Sequence, residues 1–303
     1  MTALVTPFRE DERIDFNAWQ RIIDVQIESG VDGLLTAGGQ GEFYSLDEEE
    51  RTVVLRFCRQ AVGTRVALYG NVGGVSTRET VRLAQSGEAE GIDYAVVITP
   101  YYLRPSQDEL VQHYVDVCRA VRIPVLAYNI PERTGVELSV ESLRRIAHLC
   151  ENFVGLKDST GKLDQTPELA AIGRDGPFSV FVGRDHLILE ALDRGATGAV
   201  TACANVVPRA FVDLYCAFRE GRRAEAVRLQ ELVKPLREAF ALHTFPSVMK
   251  AAMEMIGLPA GPCRRPVGPM PPEARGRLTL VLEALHLAGY APAVTAEKTA
   301  DRV

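Results

Sequence analysis

The 303-residue sequence predicts an α/β fold, namely a (β/α)8 TIM barrel with a C-terminal helical extension. Short apolar runs alternate with longer stretches of helical periodicity from the first residues to beyond residue 200. Most of these runs are continuously apolar rather than alternating, which is typical of parallel strands buried on both faces. Eight strand–helix units without a break in composition favour a closed barrel over an open, doubly wound sheet.

The predicted strands are short and rich in aliphatic and β-branched residues, and an amphipathic segment of about 10 to 17 residues follows each one. They cover residues 3–6, 33–37, 65–71, 94–99, 124–129, 153–158, 179–183 and 198–202. Capping-box patterns at Asp47-x-x-Glu50 and Ser76-x-x-Glu79 predict that helices begin after the second and third strands.

Beyond residue 220 the sequence pattern predicts no further strand. It predicts helices at 220–243, 245–256 and 272–287. We therefore predict three regions. These are a catalytic barrel domain over 1–220, a helical region over 221–290 that packs on the barrel, and a disordered tail over 291–303.

Composition and charge argue against several classes of protein. The net charge of −6 and the scattered basic residues argue against nucleic-acid binding. No apolar run approaches the roughly 18 to 20 residues that span a bilayer, and the N-terminus resembles a strand rather than a signal peptide. Six dispersed cysteines without a C-x-x-C pair predict reduced thiols and a cytoplasmic location. Five dispersed histidines give no metal-ligand pattern, so we expect no metal.

The carboxyl ends of the predicted strands are the expected position of an active site, because barrel enzymes assemble their sites there. These ends contain a lysine, tyrosines, threonines and glycine-rich turns. They lack paired carboxylates, a nucleophilic triad and metal ligands. The segments concerned are Thr6, 38–42, Asn71, 99–102, 128–129, 157–158, 183–185 and 201–205.

Lys157 is the most informative of these residues. Only five of the 34 basic residues are lysines, and Lys157 alone ends an apolar strand. Burial there disfavours the ammonium form and leaves a neutral amine that can attack a ketone. The alternative is a structural lysine whose ammonium reaches Asp158 or solvent.

Tyr128 and several loop residues complete the candidate site. Tyr128 ends the strand next to that of Lys157, where a phenol can move protons, although it could instead be an aromatic bonded to backbone. The backbone N–H groups of Gly39 and Gln40 could bind a carboxylate, although glycine-rich turns are common between strand and helix. Val200 and Thr201, from the eighth strand, are further candidate substrate-binding residues.

Together these strand ends resemble the dihydrodipicolinate synthase / N-acetylneuraminate lyase family of class I, Schiff-base aldolases. The resemblance extends from residues 5–8 to 261–266, and its most specific motifs lie at 41–42, 99–102, 128–135 and 155–158. It implies that Lys157 forms an imine with pyruvate, that Tyr128 is the general acid/base and that no cofactor is needed. It also implies that Tyr102 reaches into a neighbouring subunit's site, and hence a homodimer or homotetramer.

Two positions bear on the second substrate. Arg133 matches the arginine with which synthases of this family hold the carboxylate of aspartate semialdehyde. In contrast, Gly39-Gln40 replaces the usual hydroxyl pair, and Gly41-Glu42-Phe43 is similar to 2-keto-3-deoxy sugar acid and 4-hydroxy-2-oxo acid aldolases. We therefore favour a pyruvate-dependent carbon–carbon lyase acting on such acids. The alternatives are 4-hydroxy-tetrahydrodipicolinate synthase, a keto-acid dehydratase and a non-catalytic pyruvate-binding relative.

Overall fold

The computed structural model describes residues 1–173 and 178–294, which divide into two compact units. The first comprises Met1–Leu4 and Asp32–Thr201, and the second comprises Val5–Val31 and the chain from Ala202 onward. The boundary proposed at residue 220 falls inside the second unit and stays a prediction. Most of the predicted tail, 295–303, lies outside the described residues.

All eight strands of the described chain lie in the first unit, where they pair in parallel and in chain order. A parallel bridge between Thr2 and Thr201 closes the ring, with Ala3 N donating to Thr201 O over 2.8 Å. The predicted (β/α)8 barrel is therefore confirmed. Strands β1 to β8 are Thr2–Ala3, Gly33–Thr36, Ala67–Asn71, Tyr94–Ile98, Val125–Asn129, Phe153–Asp158, Ser179–Val182 and Gly198–Ala199.

Twelve α-helices fall within the described residues. Helices α2 to α8 belong to the first unit, and α1 and α9 to α12 belong to the second. In chain order they are Phe16–Glu28, Glu48–Val62, Thr77–Ala89, Gln107–Ala120, Pro131–Thr134, Val140–Leu149, Thr166–Ile172, Ile188–Asp193, Pro208–Arg219, Arg223–Glu238, Ser247–Met255 and Pro272–Leu287. Short 3-10 helices cover Phe43–Ser45, Leu163–Gln165, Asp185–Leu187, Cys203–Asn205 and Ala239–Leu242.

The two predicted capping boxes differ in the structure. At α2, Asp47 and Glu50 exchange both side-chain-to-backbone hydrogen bonds, as predicted. At α3, Ser76 accepts from Glu79 N over 3.2 Å, but the Glu79 carboxylate accepts from Val75 N rather than from Ser76. Both helices nevertheless begin where the sequence indicates, because the first half of each box is formed.

The first strand is shorter than predicted. It ends at Ala3, and Val5 N donates to the side-chain Oδ1 of Asn205 over 3.2 Å instead of to a neighbouring strand. In the second unit, α9 packs against α10, and α12 contacts both α10 and α11. The single helix predicted over 220–243 is α10 followed by a 3-10 turn.

Candidate active site

Lys157 and Tyr128 lie side by side at the carboxyl ends of β6 and β5. They are directly paired in the parallel register of these two strands. Each residue is only 6% exposed. The Lys157 Nζ atom lies 3.9 Å from the centre of the Tyr128 ring, within the range of a cation–π contact. The structure thus brings together the two residues that the sequence singled out for imine chemistry.

The surroundings of Lys157 argue against a structural role. Within the described residues its Nζ has no hydrogen-bond or ion-pair partner, and it lies against the ring of Tyr128. The Asp158 carboxylate, its expected structural partner, instead accepts from the backbone N and the Oγ1 of Thr160, each over 3.0 Å. Burial raises the pKa of the Asp158 carboxyl, and the bonds from Thr160 oppose that shift.

Gly183 allows the end of β7 to lie against Lys157. Its backbone N donates to Asp158 O over 2.7 Å, which draws the two chains together. A Cβ atom at this position would lie 2.0 Å from Ser159 Oγ and 3.3 Å from Lys157 Cε. Because real Cβ atoms do not approach other atoms as closely as 2.0 Å, only glycine fits without a shift of its neighbours.

The loop after β5 is held in a defined shape by two side chains. Asn129 both donates to Leu138 O and accepts from Leu138 N, each over 3.1 Å. The buried Thr134 hydroxyl accepts from Thr99 Oγ1 over 3.1 Å. Gly135 follows with a φ of +71°, a conformation that favours glycine. The asparagine, threonine and glycine of the motif over 128–135 therefore have structural roles in this loop.

Arg133 is exposed on α5, within this loop. Its neighbours Glu132 and Glu137, the two carboxylates with which it could form a structural ion pair, bind other cations. Glu132 pairs with Arg184, and Glu137 pairs with Lys162 over 2.7 Å. The binding of a substrate carboxylate by Arg133 stays a prediction.

Arg184 lies at the same end of the barrel, after β7. The sequence pattern did not indicate a function for it. It directly follows Gly183, and its side chain is 18% exposed. Its Nε donates to Ser159 O over 2.9 Å while its terminal nitrogen binds Glu132. The sequence shows only that an arginine follows a predicted strand, and this pattern cannot identify Glu132, 52 residues away, as its partner.

The loop after β2 contains a buried, unpaired amide. Gln40 is 2% exposed, and neither polar atom of its side chain has a partner within the described residues. Leaving a buried polar group unpaired costs about 1 to 3 kcal/mol. Backbone donors from Glu42 and Phe43 close the turn on the carbonyls of Gly39 and Gly38. The N–H groups proposed to bind a carboxylate, those of Gly39 and Gln40, are not the donors that close this turn.

The remaining predicted residues lie in two different settings. Tyr102 is 99% exposed and has a φ of +76°, so within one chain it does not lie against the buried Lys157. Val200 and Thr201 are buried at the junction of the barrel, where Val200 N donates to Val182 O and Thr201 N donates to Met1 O. Their contacts with substrate stay predictions.

The part of the chain that the structure describes contains no group of three or more histidine, cysteine, aspartate or glutamate residues placed to hold a metal ion. Over the same residues, no helix has the length and hydrophobicity that crossing a membrane requires.

Comparison with known proteins gives one consistent family. The model of the dihydrodipicolinate synthetase family matches residues 1–285. The 4-hydroxy-tetrahydrodipicolinate synthase of Syntrophus aciditrophicus is 36% identical over 289 residues, covering 95% of this chain and 98% of the relative. The enzyme of the same name from Gluconacetobacter diazotrophicus is 32% identical over 289 residues, covering 95% and 96%.

Solved structures agree with this result. Dihydrodipicolinate synthase from Aquifex aeolicus aligns with a TM-score of 0.89 at 34% identity, covering 94% of this chain and 97% of the other. YagE, an E. coli K12 prophage protein of the dihydrodipicolinic acid synthase family in complex with pyruvate, aligns with a TM-score of 0.91 at 31% identity, covering 94% and 97%.

Proposed function

Because the chain belongs to the dihydrodipicolinate synthetase family of Schiff-base pyruvate aldolases, we propose that it condenses pyruvate with aspartate semialdehyde, the 4-hydroxy-tetrahydrodipicolinate synthase reaction. The observation that supports this chemistry most directly is the buried amine of Lys157, 3.9 Å from the Tyr128 ring. The relatives named above support the synthase reaction over the sugar-acid reaction that the sequence favoured.

The proposed reaction begins with attack of the Lys157 amine on the C2 ketone of pyruvate. Tyr128 moves the protons that convert the carbinolamine to an iminium ion and release water. The iminium accepts the electron pair when a C3 proton leaves, and the resulting enamine attacks the aldehyde carbon, whose oxygen takes up a proton. The amino group of aspartate semialdehyde then attacks the re-formed iminium carbon, which closes the ring and releases the Lys157 amine. Because the imine itself is the electron sink, the proposed reaction uses no metal or organic cofactor.

The carboxylates of the two substrates need separate binding groups. We place the pyruvate carboxylate at the backbone N–H groups of Gly39 and Gln40, with Val200 and Thr201 as further contacts. The Arg133 guanidinium would bind the carboxylate of aspartate semialdehyde, because its planar set of donors matches a carboxylate.

We further propose that the protein acts as a homodimer or homotetramer in the cytoplasm. An exposed tyrosine in a strained backbone conformation, Tyr102, supports a role in the site of a neighbouring subunit. Six cysteines that are free in the structure are compatible with a reducing compartment.

A second candidate function is supported by Gln40. The unpaired amide needs both a hydrogen-bond donor and an acceptor, and a substrate hydroxyl can supply both. This observation favours cleavage of a 4-hydroxy-2-oxo acid or a 2-keto-3-deoxy sugar acid. A dehydratase would instead retain every carbon of such an acid, and a non-catalytic relative would form the imine without turnover.

A parallel product assay tests these proposals. We expect condensation of pyruvate with aspartate semialdehyde at a rate well above pyruvate release from a panel of 2-keto-4-hydroxy acids. Lys157→Arg, which removes the nucleophile, should abolish condensation, whereas Lys162→Arg on the exposed rim should not. Faster pyruvate release from a hydroxy acid, with no condensation, would replace the synthase by the aldolase.

A further inference from the structure

Helix α5, which contains Arg133, is too short to be stable by itself. It comprises only Pro131–Thr134, has no side-chain cap at Ile130 and ends at Gly135. Helix nucleation is costly, and a single turn gains too few hydrogen bonds to offset that cost. The orientation of Arg133 therefore depends on contacts between α5 and other parts of the barrel.

Glu132 and Thr134 of α5 both make such contacts, and Arg133 lies between them in sequence. On the buried side, the Thr134 hydroxyl lies 3.1 Å from Thr99 Oγ1 and 3.0 Å from Val136 O. On the other side, the Glu132 carboxylate binds the guanidinium of Arg184. Both contacts therefore help to hold the helix, one on each side of Arg133 in sequence.

Arg184 is well placed to act as an anchor. Its side chain is only 18% exposed, and a second donor binds Ser159 O, two residues after Lys157. Its backbone is fixed in turn, because the preceding residue, Gly183, donates to Asp158 O. A guanidinium that binds two groups at once in a fixed plane holds geometry better than a solvated ion pair does. Arg184 thereby joins the loops that follow β5, β6 and β7.

We propose that Arg184 is a positioning residue for the second substrate. It holds α5 through Glu132 so that Arg133 can receive the carboxylate of the aldehyde substrate. The proposal rests on the proposed synthase function and adds to it a residue that acts through Arg133. Neither Lys157 nor Tyr128 takes part in the ion pair between Arg184 and Glu132. We therefore expect loss of this pair to weaken binding of the aldehyde far more than it slows formation of the pyruvate imine.

The chain offers a matched control in the ion pair between Lys162 and Glu137. It joins the same two loops, those after β6 and β5, and its partners are 49% and 36% exposed. Neither residue belongs to α5, so this pair can be broken without releasing the helix. Exposed ion pairs of this kind contribute little to stability.

The test is steady-state kinetics with pyruvate and aspartate semialdehyde as the two varied substrates. Arg184→Met and Glu132→Gln should each raise the KM for aspartate semialdehyde about tenfold, the scale expected for loss of a charge-assisted hydrogen bond. The KM for pyruvate and the rate of imine formation should stay within about twofold. Lys162→Met should leave all of these values within about twofold.

A charge exchange separates positioning from a general structural effect. The double variant Arg184→Glu/Glu132→Arg should recover part of the aldehyde affinity that Arg184→Glu alone loses. No recovery, an equal rise in both KM values, or an equal effect of Lys162→Met would overturn the proposal. Arg133→Ala distinguishes failure of the proposed role of Arg184 from failure of the proposed synthase function. If Arg133→Ala raises the KM for the aldehyde while Arg184→Met does not, only the role of Arg184 is refuted. A wild-type chain that gives no condensation product refutes the synthase function itself.

Discussion

The two units of the molecule each contain a buried lysine beside an aromatic ring, and the two lysines differ in one respect. In the second unit, Lys250 is 2% exposed, lies 4.4 Å from the ring centre of Phe8 and donates to Pro262 O over 2.8 Å. In the first unit, Lys157 is 6% exposed and lies 3.9 Å from the ring centre of Tyr128. Within the described residues, its Nζ has no hydrogen-bond acceptor.

We expect this difference to separate a structural lysine from a reactive one. The carbonyl acceptor satisfies one donor of the Lys250 head group and the Phe8 ring lies against it, so both contacts fix this side chain in place. The amine of Lys157 has no such acceptor within the described residues, so no hydrogen bond holds it away from a ketone that binds beside it. Burial beside an aromatic ring is common to both lysines, and we expect the missing acceptor to distinguish the nucleophile.

We expect the largest effect on the chemistry of Lys157 from removal of the Tyr128 hydroxyl. Tyr128→Phe keeps the aromatic face beside Lys157 and removes only the hydroxyl. We expect imine formation to slow by roughly 10²-fold or more, the usual contribution of a positioned acid/base. Stopped-flow mixing with pyruvate, followed by borohydride reduction at timed intervals, measures this rate. A rate within a few-fold of wild type would mean that another group, with Tyr102 or Thr201 next in order, moves the proton.

Lys250→Met should lower the stability of the protein without changing the turnover of the folded molecule. The substitution keeps much of the volume but leaves Pro262 O without its donor, so we expect the free energy of unfolding to fall by about 2 kcal/mol. Urea denaturation measures this loss, and turnover per folded molecule should match wild type. Loss of imine formation in the folded variant would contradict the structural role.

Gly183→Ala tests how closely the neighbours of Lys157 are fitted. The added Cβ would displace Ser159 Oγ and press on Lys157 Cε. We expect turnover to fall about tenfold, below the roughly 10²-fold that a 1 Å misplacement can cause. Gly198→Ala is the matched control, because its Cβ would meet only the Phe181 ring at an ordinary 3.5 Å. Equal losses in both variants would indicate a general effect on the barrel.

The smallest expected effect is on the pH dependence of stability, and it comes from the buried imidazole of His113. Burial lowers its pKa to about 4 from the ordinary 6.5, and Asp116 partly opposes that shift. The unfolded chain therefore binds a proton first as the pH falls, and stability is lost progressively from pH 6.5 toward pH 4. We expect a loss of about 1 kcal/mol by pH 6 relative to His113→Gln, measured by urea denaturation at each pH. Parallel curves for the two proteins would contradict this assignment.

The fold and the central pair of residues could be predicted because both depend on local pattern. Continuous apolar runs indicate strands buried on both faces. The order of strands in a barrel then places Tyr128 beside Lys157 without any knowledge of side-chain packing. The early end of β1 could not be predicted, since it depends on a hydrogen bond to Asn205, about 200 residues away.

Other features of the site depend on contacts between distant segments. The pairing of Arg184 with Glu132 joins residues 52 positions apart, and no local pattern encodes it. The sequence indicates a role for the backbone N–H of Gln40, whereas the unpaired state of its side chain depends on how neighbouring segments pack around it. The glycine and glutamine at 39–40 favour a sugar-acid aldolase, and Arg133 favours the synthase. The relatives support the synthase.

Chemical trapping tests the distinction between the two buried lysines most directly. The chain is incubated with pyruvate, reduced with borohydride, and analysed by intact mass and peptide mapping, beside Lys157→Arg and Lys250→Arg. We predict one added pyruvate-derived group per chain, on Lys157, in the wild type and in Lys250→Arg, and none in Lys157→Arg. Label on Lys250 or Lys162, or an unlabelled wild-type chain, would contradict the account.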